Sequence, residues 1–269
     1  MSTTALKLVA LALMLLDHIH QFIPGIPMVF TWLGRLSAPL FVFACVWGIY
    51  HTHNRLHYLT RLYLWGVAMS VGDWVITALC PTGYGTPFNN IFVTLFLIAF
   101  VVTLLECYQK KQWKQANLLL ALLIVCQVAG QLAVSLLMHQ LSPDGALLDV
   151  LPGNPYLLAI IPAAIFPNLL FCEGGIFFVA LGVALYFCRN SKKTLSVVYV
   201  AFCALFFFFA FREPYVENLF YGNFQWMMLA ALPLMLCYNG QPGRGYRRLF
   251  YVFYPAHIFV LYVLGSFLR

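Results

Sequence analysis

Asp17 and His18 stand side by side in an apolar run from Lys7 to Ile23 in which nearly every other residue is hydrophobic. Ionisable groups at membrane depth are costly to hold and mark functional sites by default. The other ionisable residues set well inside apolar stretches are Arg35, Asp73, Glu173 and His257, with Lys7 and Arg61 nearer the ends of theirs. Histidine titrates near neutrality and can take and return a proton, so His18 and His257 suit general acid–base chemistry. Consecutive helical residues point about 100° apart. Asp17 and His18 therefore face different neighbours and cannot simply serve one another. Asp17 and Arg35 lie at matching depth in consecutive apolar segments, which predicts an ion pair across an antiparallel hairpin. His257 follows Tyr254-Pro255-Ala256 near the middle of the last segment, at a depth where it can approach His18. The competing reading is two buried imidazoles that merely bond backbone carbonyls.

The elements that must position these groups are membrane helices. With 63% hydrophobic residues, 9% charged residues and a mean hydropathy of +0.87, the chain cannot present a soluble surface. It reads as an all-α, polytopic membrane bundle. A crossing needs about 20 apolar residues, and the segments fall near 5–23, 29–50, 60–79, 90–108, 116–138, 175–188, 194–211, 224–238 and 248–267. A tenth segment, 156–171, is interrupted by Pro162 and Pro167 and is predicted to be re-entrant or broken. The connections are short, so residues 1–269 read as one membrane-embedded domain. The first segment carries Asp17, His18 and His20 and runs into Pro24-Gly25-Ile26-Pro27, which reads as a retained span, not a signal peptide.

The net charge of +7 is distributed over alternate loops. Arg55 with Arg61, then Lys110, Lys111 and Lys114, then Arg189, Lys192 and Lys193, then Arg244, Arg247 and Arg248 mark cytoplasmic connections, with the amino terminus inside. The connections 81–89, 142–155 and 213–223 face outward on the same rule. No basic stripe with interleaved aromatics points to nucleic acid. The eight cysteines are scattered singly and read as small core residues. His51, His53 and His57 have no supporting cysteine or carboxylate and read as an interfacial cluster, so no metal is expected. Gly83-Tyr84-Gly85 is a loop, not a potassium filter. Asn239-Gly240-Gln241-Pro242-Gly243 is a turn signal that matches no phosphate-loop spacing. Glu173, beside Gly174-Gly175, sits where a carboxylate can meet an amine or pair with Arg212.

Three motifs carry a family resemblance. Lys7 to Asp17-His18, then Gly34-Arg35-Leu36-Ser37-Ala38-Pro39-Leu40-Phe41, then Phe253-Tyr254-Pro255-Ala256-His257 strongly resemble the TraX family. Further matches lie at Arg61 and at Asn90 to Thr94. The chain departs from the family at Ser70-Val71-Gly72-Asp73, where some members carry Ser-Glu-Pro, and residues from about Glu106 to Phe224 match little. The resemblance implies a bacterial inner-membrane enzyme that N-acetylates conjugative pilin, distantly like membrane acyltransferases that use cytoplasmic acyl-CoA.

What such an enzyme needs can be set against the residues. Acyl transfer to an amine requires a base, for which His18 is the candidate, with Asp17 and Arg35 setting the electrostatics. His257 would polarise the thioester, protonate the leaving thiolate or carry the acetyl group. The phosphates of acetyl-CoA would be held by basic groups, with Arg35, Arg61, Lys7, Arg244, Arg247 and Arg248 as candidates. Asn90, Glu173 and Tyr254 are the candidates for contacting the acceptor. A donor inside and a pilin amine outside predict a polar tunnel lined by Asp17, His18, Arg35, Asn90 and His257. The alternatives are a small proton-coupled transporter, in which the same groups form a relay, and a non-catalytic assembly factor for a pilus or secretion machine.

Overall fold

The computed structural model describes residues 1–80, 87–141, 155–211 and 215–268. Its helices are α1 (Thr3–Phe22), α2 (Val29–Gly34), α3 (Ser37–His51), α4 (Arg55–Leu79), α5 (Ile91–Gln109), α6 (Trp113–Gln140), α7 (Pro155–Ile165), α8 (Gly175–Cys188), α9 (Lys192–Phe211), α10 (Leu232–Leu236) and α11 (Arg247–Phe267). A π-helical turn, Asn218–Gly222, and a 3-10 segment, Phe224–Ala231, precede α10. Among the described residues, seven stretches are long and apolar enough to cross a bilayer, and Gly175–Cys188 and Phe224–Leu236 are shorter apolar helices. The chain is a polytopic helical membrane protein. The backbone polarity of each span is spent on its own helical ladder, the arrangement that hydrocarbon demands.

Two compact units are present, Met1–His51 with Leu181–Arg269, and Thr52–Ala180. In the first, α1 packs against α2, α3 and α11, while α9 packs against the 3-10 segment. The start of α1 is tied to the loop before α11: the Thr3 N–H donates to the Gln241 carbonyl at 2.9 Å, and the Thr4 hydroxyl donates to the Pro242 and Arg244 carbonyls at 2.9 and 2.6 Å. Gly243, at φ +75°, lies so close to Ser2 that a side chain there would collide with it. This strap starts α1 and α11 at one end of the unit, so they run side by side in the same direction.

The span expected over 29–50 is broken at Arg35 and Leu36, between α2 and α3. Pro39 has no N–H to give the Arg35 carbonyl four residues back, so the α ladder cannot run through. The segment expected over 224–238 is likewise not one α-helix. It is 3-10 up to Ala231 and turns α only at Leu232, with Pro233 in the first turn, where a missing N–H costs nothing.

In the second unit, α4 packs on α5 and α7, and α6 packs on α5 and α7. Most of α5 is buried, whereas α6 is largely exposed, as an outer, lipid-facing helix would be. The segment α7 is only 11 residues long and contains Pro162. The irregular backbone after it is satisfied by side chains. Gln127 Nε2 donates to the Pro167 carbonyl at 2.9 Å, Asn168 Nδ2 donates to the Gln127 carbonyl at 3.0 Å, and Gln127 Oε1 accepts from the Leu169 N–H at 2.8 Å. Non-helical chain at membrane depth is tolerated only with such partners.

Candidate active site

The site is built in the first unit from α1, α2, α11 and the 3-10 segment. His18 on α1 and His257 on α11 are 3% and 7% exposed, and their Nδ1 and Nε2 atoms are 2.6 Å apart. The rings stack with centroids 4.9 Å apart. His257 Nδ1 lies 2.7 Å from the Phe253 carbonyl. A carbonyl only accepts, so neutral His257 carries its proton on Nδ1 and presents the lone pair of Nε2 to His18. His18 then donates from Nδ1 and keeps its own lone pair on Nε2. The hydrogen bonds thus select the tautomer of His18 that is a base at Nε2, by the logic with which any buried partner orients a catalytic imidazole.

Aromatic rings wall the pair. Phe22 and Tyr254 lie 6.0 and 6.4 Å from the His18 ring, centroid to centroid, and Phe253 stacks on His257 at 5.0 Å. Tyr254, expected to contact the acceptor, is itself buried against both histidines. Pro255 sits within α11 two residues before His257.

One step back along α1, Asp17 faces α2. Its two carboxylate oxygens accept from the Thr31 hydroxyl and from Arg35 Nη2. Arg35 is held further by the Gln225 side-chain oxygen, which accepts from Nη1 at 3.3 Å, and lies over the Phe224 ring at 5.4 Å. The depth match of Asp17 and Arg35 is therefore a direct ion pair in the structure. Gly34 makes the approach possible, because a Cβ at that position would overlap the Asp17 side chain. Arg35 also lies within electrostatic range of the His18 ring.

Three contributors escaped the sequence reading. Thr31 had a signal, since it stands four residues before Arg35 and shares its helical face. Gly34 opens the Gly34–Phe41 motif but has no side chain to suggest a role. Gln225 had no local signal, because it comes from the 3-10 segment, 190 residues along the chain from Arg35.

The remaining candidates lie elsewhere. Lys7 Nζ sits 5.4 Å from the Phe250 ring centroid, and Arg244 is exposed in the loop that straps α1. The side chains of Arg247 and Arg248 lie outside the described residues, as do Arg212 and Gly83-Tyr84-Gly85. In the second unit, the Arg61 guanidinium lies 5.6 Å from the Tyr58 ring centroid. Asn90 Nδ2 donates to the Gly66 carbonyl and to Ser70 Oγ, each at 2.8 Å, and the Glu173 carbonyl accepts from the Thr94 hydroxyl at 2.7 Å.

A buried, oriented imidazole pair beside a carboxylate–guanidinium pair is equipped to accept a proton and to stabilise charge. The family model described as TraX protein matches residues 2–142 and 107–265. No curated protein and no solved structure matches the chain. The two matched stretches overlap and together run over nearly the whole sequence, so the chain belongs to the TraX family.

Proposed function

We propose that this protein is an acyl-CoA-dependent N-acetyltransferase that moves an acetyl group from cytoplasmic acetyl-CoA to an amino group reached from the outer face. The N-terminus of a pilin subunit is the proposed acceptor, as family membership implies. The observation that carries the catalytic reading is the chain Phe253 carbonyl, His257, His18, with its 2.7 and 2.6 Å links, which leaves the basic lone pair on His18 Nε2.

In the proposed step the amine nitrogen attacks the thioester carbonyl carbon. The C–N bond forms, the C–S bond breaks, and the electron pair leaves on the coenzyme A sulfur. His18 Nε2 takes the proton released by the amine and returns one to the thiolate. As His18 gains charge, its Nδ1–H bond to His257 strengthens, so His257 is a positioning residue that stabilises the imidazolium. Asp17 holds the Arg35 guanidinium in place, and that guanidinium offers positive charge to a developing oxyanion or to an acetyl-CoA phosphate. Lys7, Arg61, Arg244, Arg247 and Arg248 are proposed to attract the coenzyme A phosphates from the cytoplasmic side, and Asn90, Glu173 and Tyr254 to contact the acceptor.

The test is transfer of labelled acetyl from acetyl-CoA by the purified protein in nanodiscs, offering pilin-like amino-terminal peptides. Product that depends on both His18 and His257 supports the enzyme. Folded protein that neither binds acetyl-CoA nor forms product overturns it in favour of a transporter or an assembly factor.

A further inference from the structure

A second set of buried polar groups lies within Thr52–Ala180. Ser70, Asp73 and Thr77 recur on α4 at three- and four-residue spacing, one buried stripe of the helix. Asp73 is 0% exposed. The Thr77 hydroxyl is occupied by its own helix, donating to the Trp74 and Asp73 carbonyls at 2.9 and 3.2 Å. Asn90, 8% exposed at the start of α5, leans on the same stripe through its bonds to Gly66 and Ser70. Because the Gly66 carbonyl can only accept, the nitrogen end of that amide is identified and Oδ1 is the end left over.

Asn90 Oδ1 and both carboxylate oxygens of Asp73 are buried without a hydrogen-bond partner. They are three acceptors with no donor, and a buried polar atom left unsatisfied costs about 1–3 kcal/mol. Such groups call for an ion, a water or a functional reason. Each of these oxygens exposes less than 1 Å², which leaves no contact for a water-sized body. One turn into α5, Thr94 bonds the Glu173 carbonyl, and the Glu173 side chain lies within electrostatic range of Asp73.

A group that satisfies these oxygens must be positive and smaller than water. A proton on Asp73 that is donated to Asn90 Oδ1 satisfies two of them and leaves the third. Magnesium keeps several of its waters, and calcium takes six to eight oxygens, commonly from several carboxylates. Among the described residues no three His, Cys, Asp or Glu side chains gather. We propose that Asp73 and Asn90 Oδ1 bind one dehydrated sodium ion. Asn90 is also a proposed acceptor contact, so sodium binding is measured apart from acetyl transfer and stands or falls separately from it.

The experiment uses the full chain in detergent, in choline chloride, with titration of NaCl or KCl followed by thermal unfolding, and equilibrium binding of radioactive sodium. The expected result is a saturable rise in Tm with sodium but not with potassium, and one sodium bound per chain. Asp73→Asn, which keeps the side-chain volume, is expected to unfold cooperatively in choline and to lose both signals. Equal shifts with potassium, or sodium binding that survives Asp73→Asn, overturn the proposal. Folded wild-type protein that binds no sodium also overturns it and leaves a proton on Asp73 as the occupant.

Discussion

Asp17 and Asp73 are both carboxylates on membrane helices, but their surroundings are opposite. Asp17 is 15% exposed at its side chain, and its two oxygens take a guanidinium and a hydroxyl. Asp73 is completely buried, and neither of its oxygens has a hydrogen-bond partner. Where the chain supplies its own countercharge, a polar group is fixed in position and can set the electrostatics of a reaction. Where it does not, the fold has been left to be completed by something else. Partners, more than residue type, separate a positioned group from a binding one.

The comparison breaks most severely at the histidines, which depend on full satisfaction of one site. His18→Gln is expected to lower the transfer rate by about 10²–10⁴-fold, the usual worth of a positioned proton acceptor, with steady-state product formation as the readout. His257→Leu removes the acceptor of the His18 Nδ1–H bond and should lower kcat with KM for acetyl-CoA little changed. The double variant should be no slower than His18→Gln alone, because residues acting as a unit are not additive.

Smaller effects fall on the charge pair. Asp17→Asn leaves the Arg35 guanidinium without its countercharge and should cost about 1–3 kcal/mol of stability, as loss of a charged hydrogen bond does. Adding Arg35→Gln should recover part of that loss, which a double-mutant cycle in Tm measures. Gly34→Ala forces a methyl group into the Asp17 side chain and should cost about 1–3 kcal/mol by overpacking. The smallest change is expected at the other carboxylate. In sodium-free buffer Asp73→Asn removes no hydrogen bond that the carboxylate makes, so its Tm should stay within an effect of about 1 kcal/mol. A loss as large as that of Asp17→Asn would erase the contrast between the two carboxylates.

Much of this was legible in the sequence because the bilayer fixes depth. Apolar length places each residue along the membrane normal, and matched depth suffices to pair Asp17 with Arg35 and His18 with His257. Composition and span length likewise account for the helical class and for the short, proline-broken α7. What depth does not carry is rotation and backbone irregularity. The break at Arg35 and Leu36 depends on the missing N–H of Pro39, while Thr31 and Arg35 reach Asp17 together because they stand one helical turn apart. Gln225 arrives on a 3-10 turn that no periodicity announces. The Asp73 stripe was visible as a departure from the family pattern, but its empty hydrogen bonds are a property of packing, which spacing does not report.

The most direct measurement is the single-turnover rate of acetyl transfer at saturating acetyl-CoA, for wild type and His18→Gln in nanodiscs, with Tm recorded on the same samples. This separates the chemical step from binding and from folding. The account predicts a folded His18→Gln protein that still binds acetyl-CoA but transfers about 10²–10⁴-fold more slowly. A folded variant whose rate stays within a few-fold of wild type would contradict it.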